Sequence, residues 1–460
     1  MAMDTVEREA RSQDAKRRLE ALQAAGVVAV AATFVDNSGI TRVKSVPLAR
    51  LPHLAAWGVG ISTSFDRFRF DDWIASDGAG IEPVGDLRII PDLRRVVPLA
   101  AQPGWAWAPA DRYQQSGEPH GQCSRLLLSR LVHELAQQGC TAQMAFEIEW
   151  VVSAGDGDDF VPGVTGPGYS MTRLTNRSDY CRDVLNALRD EGVIVEQFHP
   201  EYAAGQLELS VAPEDPVSAA DTSVLVRSTI RAVGVAHGLR TSYSPKVAVP
   251  GVGNGGHVHL SLWRDDQNLF SGGDGRFGLT ETAESFSAGV LTRLPALLAI
   301  GAPSPVSYLR LVPSHWAGVY ACWGLENREA AMRMVTGSAG SESRAANMEV
   351  KCFDLLANPY LVLSGLVAAG LAGLNDGAQL PDPIDVDPAA LGEEALEARG
   401  ITRLPTTLRD ALDAFRADNA LTGAFGDDLV ASLAAVRESE LELFEGASDE
   451  ALAAATRWAH

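Results

Sequence analysis

The stretch Ala142-Gln143-Met144-Ala145-Phe146-Glu147-Ile148-Glu149-Trp150-Val151-Val152 sets two acids two positions apart in a run that is otherwise mainly apolar. Such a run reads as a strand, and the strand period of two puts Glu147 and Glu149 on one face. An ordinary solvated strand face accounts for two neighbouring glutamates taken alone. The functional alternative is a hard divalent cation, which would relieve their repulsion and favour the ionised forms.

Downstream, residues 193–196, 206–211 and 257–263 read as further strands, and 177–191, 216–237, 280–301 and 357–374 as helices. Upstream, residues 5–24 carry Val6, Ala10, Leu19 and Leu22 at helical spacing, and Gly26 ends the helix. Residues 27–35 form a continuous apolar strand, Asp36-Asn37-Ser38-Gly39 is a turn signal, and 40–46, 87–91 and 104–110 supply more strand. Leucines at helical intervals mark 124–138. Beyond about residue 386 the chain is rich in Ala, Leu and Glu, with helical runs at 408–416 and 427–444, and reads as a tail with little chemistry. The expected class is α+β: a helical extension (1–19), a small sheet domain (20–118), and a large domain (119–460) whose antiparallel sheet carries packed helices.

Three further segments hold candidate chemistry. His199-Pro200-Glu201-Tyr202-Ala203-Ala204-Gly205-Gln206-Leu207-Glu208 contributes two acids. On one unbroken strand they would face opposite ways, and a bend at 203–205 would bring both into one cavity. Gly251-Val252-Gly253-Asn254-Gly255-Gly256-His257-Val258-His259 is a glycine-rich loop running into a strand with two histidines on one face. Such a pair is a packed core feature or a phosphate or metal contact. Finally, Arg310, Arg328 and Arg333 precede Asn347-Met348-Glu349-Val350-Lys351, where alternation puts Asn347, Glu349 and Lys351 on one face. Grouped arginines suit phosphoryl transfer, although single ones are more often surface residues.

Composition limits the class of partner. The 460 residues carry 59 acids against 38 bases, a formal charge of -21, which argues against nucleic acid. The five cysteines are scattered and form no CxxC pair, so neither a disulfide framework nor a structural zinc site is expected. The charged N-terminus has no apolar signal-peptide core, and the apolar stretch 361–374, broken by Gly365, Gly370 and Gly373, is too short to span a bilayer. A cytoplasmic protein without a membrane partner is expected.

Taken together and in order, the Glu147/Glu149 strand, the His199–Glu208 segment, the Gly253–His259 loop, Arg310-Leu311-Val312-Pro313, Asn327-Arg328, Arg333 and Ala357-Asn358-Pro359-Tyr360 resemble the glutamine synthetase superfamily, type I-like branch. The resemblance covers residues 20–445. It implies a β-grasp-like N-terminal domain, a catalytic domain with a curved antiparallel sheet, and a dodecamer of two hexameric rings with sites between subunits. It implies two or three Mg²⁺ or Mn²⁺ ions, ATP and glutamate as substrates, and a γ-glutamyl phosphate intermediate that an amine opens. By position, one metal falls to Glu149, Glu201 and Glu208, and a second to Glu147, His257 and Glu349. His199, His259, Ser261, Arg328 and Arg333 fall near the nucleotide and transferred phosphoryl, and Arg310, Gly253 and Lys351 to glutamate. Asp66 falls to the amine pocket and, with Arg328 and Arg333, to catalysis.

The acceptor half departs from that pattern. Where the ammonia-using enzymes have a glutamate after the RLVP motif, this chain reads Ser314-His315-Trp316-Ala317, and no acid follows until Glu326. An indole cannot accept an ammonium proton, but it can line a pocket for an organic amine and attract its cation. Lys351 replaces an arginine fork with a point charge, Val252 replaces an asparagine, and no tyrosine follows Tyr360 to serve for adenylylation. These departures resemble the γ-glutamylamide ligases. Trp316 and the scarcity of nearby acids favour ethanolamine; the alternatives are putrescine or spermidine, ammonia, or a non-catalytic structural or regulatory role.

Overall fold

The computed structural model describes residues 2–76 and 84–460. Its N-terminal sheet contains β1 (Ala29–Val35), β2 (Thr41–Pro47), β3 (Val59–Ser62), β4 (Asp86–Pro91), β5 (Val97–Pro98) and β6 (Trp105–Gln114). The strand order is β2-β1-β6-β4-β3, with β5 on β6. β1 and β6 run parallel, with Ala29 opposite Trp105; the other pairs are antiparallel. Gly39, at φ 79, closes the β1–β2 turn against the Leu356 carbonyl, which a Cβ would overlap at 1.8 Å. The helix Thr5–Ala24 is capped by the Asp4 side chain, which accepts the Glu7 N–H at 2.8 Å, and runs unbroken through residue 19. Its inward residues are Ala15 and Leu22, whereas Val6 is 76% exposed, so only part of the expected apolar stripe is buried.

The large sheet is built from β7 (Thr141–Ser153), β8 (Val195–Pro200), β9 (Gln206–Val211), β10 (Arg240–Ser242), β11 (Gly256–Arg264), β12 (Gln267–Asn268), β13 (Tyr320–Leu325), β14 (Ala330–Val335), β15 (Asn347–Val350) and β16 (Thr402–Arg403). Its order is β16-β13-β14-β15-β11-β7-β9-β8, with β10 on β7 and β12 on β11. All pairs are antiparallel except β13–β14, which departs from the purely antiparallel expectation. One face of the central strands is apolar: Phe146, Ile148, Trp150, Leu207, Leu209, Val258, Leu260, Met348 and Val350 are all buried in the main core.

The helices Pro216–Ala236, Glu281–Gly301 and Pro359–Asp376 belong to that core. Asn358 starts the last of these by accepting the Tyr360 and Leu361 N–H groups at 3.0 and 3.3 Å. The glycines at 289, 370 and 373 let it lie against Glu281–Gly301: a Cβ on Gly370 would stand 2.1 Å from the Phe286 ring, and one on Gly289 2.3 Å from the Ala369 carbonyl. Glu281–Gly301 is long and apolar enough to cross a bilayer by composition, but it is mostly buried inside the protein, as a core helix is. The C-terminal region is more than a tail. From Asp427–Leu443, the Ser439 carbonyl accepts Arg69 at 2.9 Å and the Ser432 hydroxyl accepts Asn37 at 3.1 Å, tying the N-terminal sheet to the large domain.

Candidate active site

Strand register gathers the polar residues. β11 and β7 pair with His257 opposite Glu147, β7 and β9 with Glu149 opposite Glu208, and β8 and β9 with His199 opposite Glu208. On the other side, Glu349 lies opposite both His259 and Arg333. Because side chains alternate, this register carries the acids and histidines onto the face opposite Phe146, Ile148 and Trp150. Gly205, at φ 77, and the irregular backbone at 201–205 supply the bend that lets Glu201 join Glu208. An open cleft of about 1270 Å³ lies over this face. Its walls include Glu147, Glu149, His199, Glu201, Glu208, Gly253, His257, His259, Ser261, Arg310, Trp316, Arg328, Arg333 and Lys351.

Two groups of side chains can each hold a cation: Glu147, His259 and Glu349, and His199, Glu201 and Glu208. The expected sets named His257 rather than His259, and Glu149 rather than His199. Both named residues remain adjacent. His257 Nδ1 is 2.8 Å from Glu147 and 3.3 Å from Glu349, and its Nε2 is 3.7 Å from Glu149. Glu149 accepts the Gly255 N–H at 2.7 Å and the Gln206 amide at 3.2 Å.

The electrostatics fit a divalent ion. Burial together with Glu147, Glu149 and Glu201 pushes the Glu208 carboxyl up to about 11. Burial also pushes on Glu147, but the His257 and His259 imidazoles outweigh it and hold the carboxyl well below its usual range. At Glu349 burial is outweighed by Lys351, His259 and His257, which bring the carboxyl down to about 2. His259, lowered by burial but raised more by Glu147 and Glu349, reaches about 9. A site that holds Glu147 and Glu349 ionised, needs a further cation to ionise Glu208, and offers hard oxygen with imidazole nitrogen suits Mg²⁺ or Mn²⁺. The buried Nδ1 of His199, without a protein partner, is a further unmet polar atom there.

The glycine loop permits close approach, as its sequence implies. A Cβ on Gly255 would lie 2.4 Å from His257 Nε2 and 2.8 Å from an Arg310 nitrogen, and one on Gly253 2.2 Å from the Pro245 carbonyl. Arg310 sits 3.2 Å from His257 Nε2 and donates to the Lys351 carbonyl at 2.9 Å. Lys351 is buried and gives its ammonium to Glu349 at 3.0 Å, while Arg333 donates to the other Glu349 oxygen at 3.2 Å.

At the cleft mouth the Arg328 guanidinium lies 5.8 Å from the Trp316 ring centroid, so a protein cation already occupies the neighbourhood expected for a substrate cation. The sequence shows no acid near Trp316 before Glu326, yet folding brings Glu329 onto it: the Glu329 carboxylate accepts the Trp316 N–H at 2.9 Å. Asp66 is elsewhere. It is buried in the N-terminal domain, where Arg112 donates to it and His120 Nε2 lies 2.8 Å away, and it does not line this chain's cleft.

Three neutral side chains brace these groups, and of them only Tyr169 lies outside the segments that the sequence singles out. Gln206 links Glu149, the Gly253 carbonyl and Asn254 at 3.2, 3.1 and 2.9 Å. Tyr169 donates to Glu201 at 2.8 Å and stacks on His199. Asn347 accepts the His259 Nδ1–H on its amide oxygen at 2.9 Å, on the face that strand alternation assigns to it.

Residues 121–452 match the family model for the glutamine synthetase catalytic domain. The chain is 56% identical to the γ-glutamylpolyamine synthetase of Streptomyces coelicolor over 94% of each protein. It is 29% identical to the glutamine synthetase of Pyrococcus abyssi over 86% of each. Among solved structures, a glutamine synthase homologue superposes with a TM-score of 0.83 at 34% identity, covering 93% of this chain and 97% of the other. A complex of GmaS with ADP gives 0.81 at 27% identity, covering 94% and 96%.

Proposed function

The chain belongs to the glutamine synthetase family, in its glutamate–amine ligase branch, and from that premise we propose that this ATP-dependent enzyme γ-glutamylates a polyamine such as putrescine or spermidine. The observation that carries the reading is the combination of an intact acid–histidine floor with an acceptor side built on Trp316. What favours a polyamine over ethanolamine is that the relative sharing 56% identity is a γ-glutamylpolyamine synthetase.

Glu147, Glu149, Glu201, Glu208, Glu349, His199, His257 and His259 would hold two or three Mg²⁺ or Mn²⁺ ions. Bound there, the ions supply Lewis-acid neutralisation of the triphosphate. Arg310 and the Gly253 backbone orient glutamate. Its γ-carboxylate oxygen attacks the terminal phosphorus of ATP, ADP departs, and Arg328 and Arg333 balance charge on the moving phosphoryl group. The neutral amine nitrogen then attacks the acyl carbon and inorganic phosphate leaves, while the amine proton passes to solvent or a nearby base. Asp66 is left out of this chain's amine pocket because Arg112 and His120 engage its carboxylate.

We further propose a dodecamer of two hexameric rings working in the cytoplasm, with the module 20–118 serving a neighbouring subunit's site and 119–460 carrying the chemistry. Trp57 and Trp73, 50% and 64% exposed in the N-terminal domain, are surfaces such an assembly would cover. The functional test is ADP release with ATP, glutamate, Mn²⁺ and equal concentrations of ammonia, ethanolamine, putrescine or spermidine. Polyamine turnover should exceed the rest; ammonia or ethanolamine turnover equal to the best polyamine would refute the assignment.

A further inference from the structure

The segment 313–318 at the cleft mouth has an unusual backbone. Ser314, Trp316 and Gly318 adopt φ values of 57, 56 and 63, a left-handed region that residues with a Cβ avoid. Gly318 has no alternative, because a Cβ there would lie 2.9 Å from both Ala331 Cα and Lys351 Cβ. Ser314 and Trp316 do have a Cβ, and must be held in place by other bonds. Trp316 is 53% exposed, so packing of the indole does not hold it.

Two acids fasten the turn instead. Asp387 accepts the Ser314 hydroxyl at 2.8 Å, and Glu329 accepts the Trp316 N–H at 2.9 Å. Glu329 is 9% exposed and is itself fixed, since its N–H donates to Asn327 at 3.0 Å while the Asn327 amide donates to the Ile384 and Val386 carbonyls at 2.9 and 3.0 Å. Trp316 thus hangs from a braced carboxylate, with Arg328, only one residue from Glu329, beside its ring.

We propose that Glu329 is a positioning residue for the amine-accepting half of the site: by accepting the Trp316 N–H it holds 313–318 in the left-handed turn that sets the indole at the cleft mouth. The proposal rests on reading the cleft as a site of glutamate–amine ligation. Glu329 need not touch the substrate, and the role requires an acceptor oxygen at this reach rather than a charge. Replacement by glutamine therefore preserves it, whereas alanine removes the acceptor and aspartate withdraws it by one methylene.

The test is steady-state ADP release by the full-length wild type, E329Q, E329A and E329D, with KM measured separately for ATP, glutamate and the best amine. The expected result for E329A and E329D is a rise in amine KM of about tenfold or more, the usual scale for a lost acceptor. ATP and glutamate KM should stay within about twofold on the same scale, and E329Q should behave as wild type. If E329A does not accumulate as folded protein, Ser314→Ala, which cuts the second fastening, should give an amine-selective shift in the same direction. Unchanged amine KM in E329A and E329D, an equal loss for all three substrates, or an E329Q as impaired as E329A would overturn the proposal. Wild-type preference for ammonia would refute the polyamine assignment alone, because the same KM comparison made with ammonia still decides the role of Glu329.

Discussion

Replacing Glu349 with glutamine should disable the enzyme while leaving its shape in place, and the size of the effect follows from its contacts. Glu349 is 2% exposed. One oxygen takes the Lys351 ammonium at 3.0 Å and the other takes Arg333 at 3.2 Å, with His257 Nδ1 3.3 Å from the first. Charged hydrogen bonds contribute about 1.5–3 kcal/mol each and neutral ones about half as much, so amidation weakens both. The new NH₂ must also face one of two cationic donors, leaving it unpaired. The sum is roughly 3–5 kcal/mol, the scale for breaking a buried ion pair. The same change withdraws a charged ligand from the Glu147–His259–Glu349 group. Losing an outer-shell partner costs about 10–100-fold in metal affinity, so losing this ligand should cost at least the upper figure. Several kcal/mol of lost charge stabilisation in phosphoryl transfer corresponds to a rate loss of about 10³. Thermal unfolding and size-exclusion chromatography would establish that E349Q is folded, Mn²⁺ titration would read the affinity, and coupled ADP release the rate. A folded E349Q with wild-type Mn²⁺ affinity and turnover within about tenfold of wild type would refute the placement of a metal at Glu349.

Three other outcomes are expected. Trp316→Ala removes the indole beside Arg328 and should raise amine KM about tenfold with little change in glutamate KM, since apolar and cation–π contacts of this kind amount to about 1–2 kcal/mol; equal shifts in both constants would contradict it. Gly255→Ala drives a Cβ to 2.4 Å from His257 Nε2 and 2.8 Å from Arg310, so activity should fall by about 100-fold or more, overpacking being worth about 1–3 kcal/mol at a site intolerant of small shifts; near-normal turnover would contradict the need for glycine there. Glu440, buried and bonded to Ser304 at 2.6 Å, has its carboxyl raised from 4.5 to about 7, chiefly by burial. The folded protein therefore holds this proton more tightly than the unfolded chain, and stability is lost as pH rises from 4.5 through about 7. Glu440→Gln should match wild type near pH 5 and exceed it at pH 8 by up to about 3 kcal/mol; equal urea midpoints at pH 8 would exclude that penalty.

Most of the candidate site's floor was legible because it depends on period-two alternation. Glu147 with Glu149, and His257 with His259, could be put on one face from spacing alone, and the structure keeps them there. What spacing cannot give is register between strands. The pairing of His199 with Glu208 and of Glu349 with His259 therefore regrouped the ligand sets. The helices in the core were readable from apolar runs, including the glycines of Pro359–Asp376, whose purpose appears only when Phe286 and Gly289 arrive opposite them. The acceptor side was least legible. Glu329 lies thirteen positions from Trp316 in sequence, and only the folded loop shows its carboxylate under the indole's backbone. Asp66 is a related case: a short acidic motif does not reveal that a distant arginine and histidine will enclose it within its own domain.

Glutamate–amine ligation of this kind requires that ATP phosphorylate the γ-carboxylate of glutamate and that an organic amine then capture the acyl group. The most direct test supplies glutamate labelled with ¹⁸O in the γ-carboxylate, together with ATP, Mn²⁺ and spermidine, and follows both products by mass spectrometry. The expected products are γ-glutamylspermidine and, for each turnover, inorganic phosphate carrying one ¹⁸O atom from glutamate. Unlabelled phosphate, or ATP hydrolysis without a γ-glutamyl amide, would contradict this chemistry.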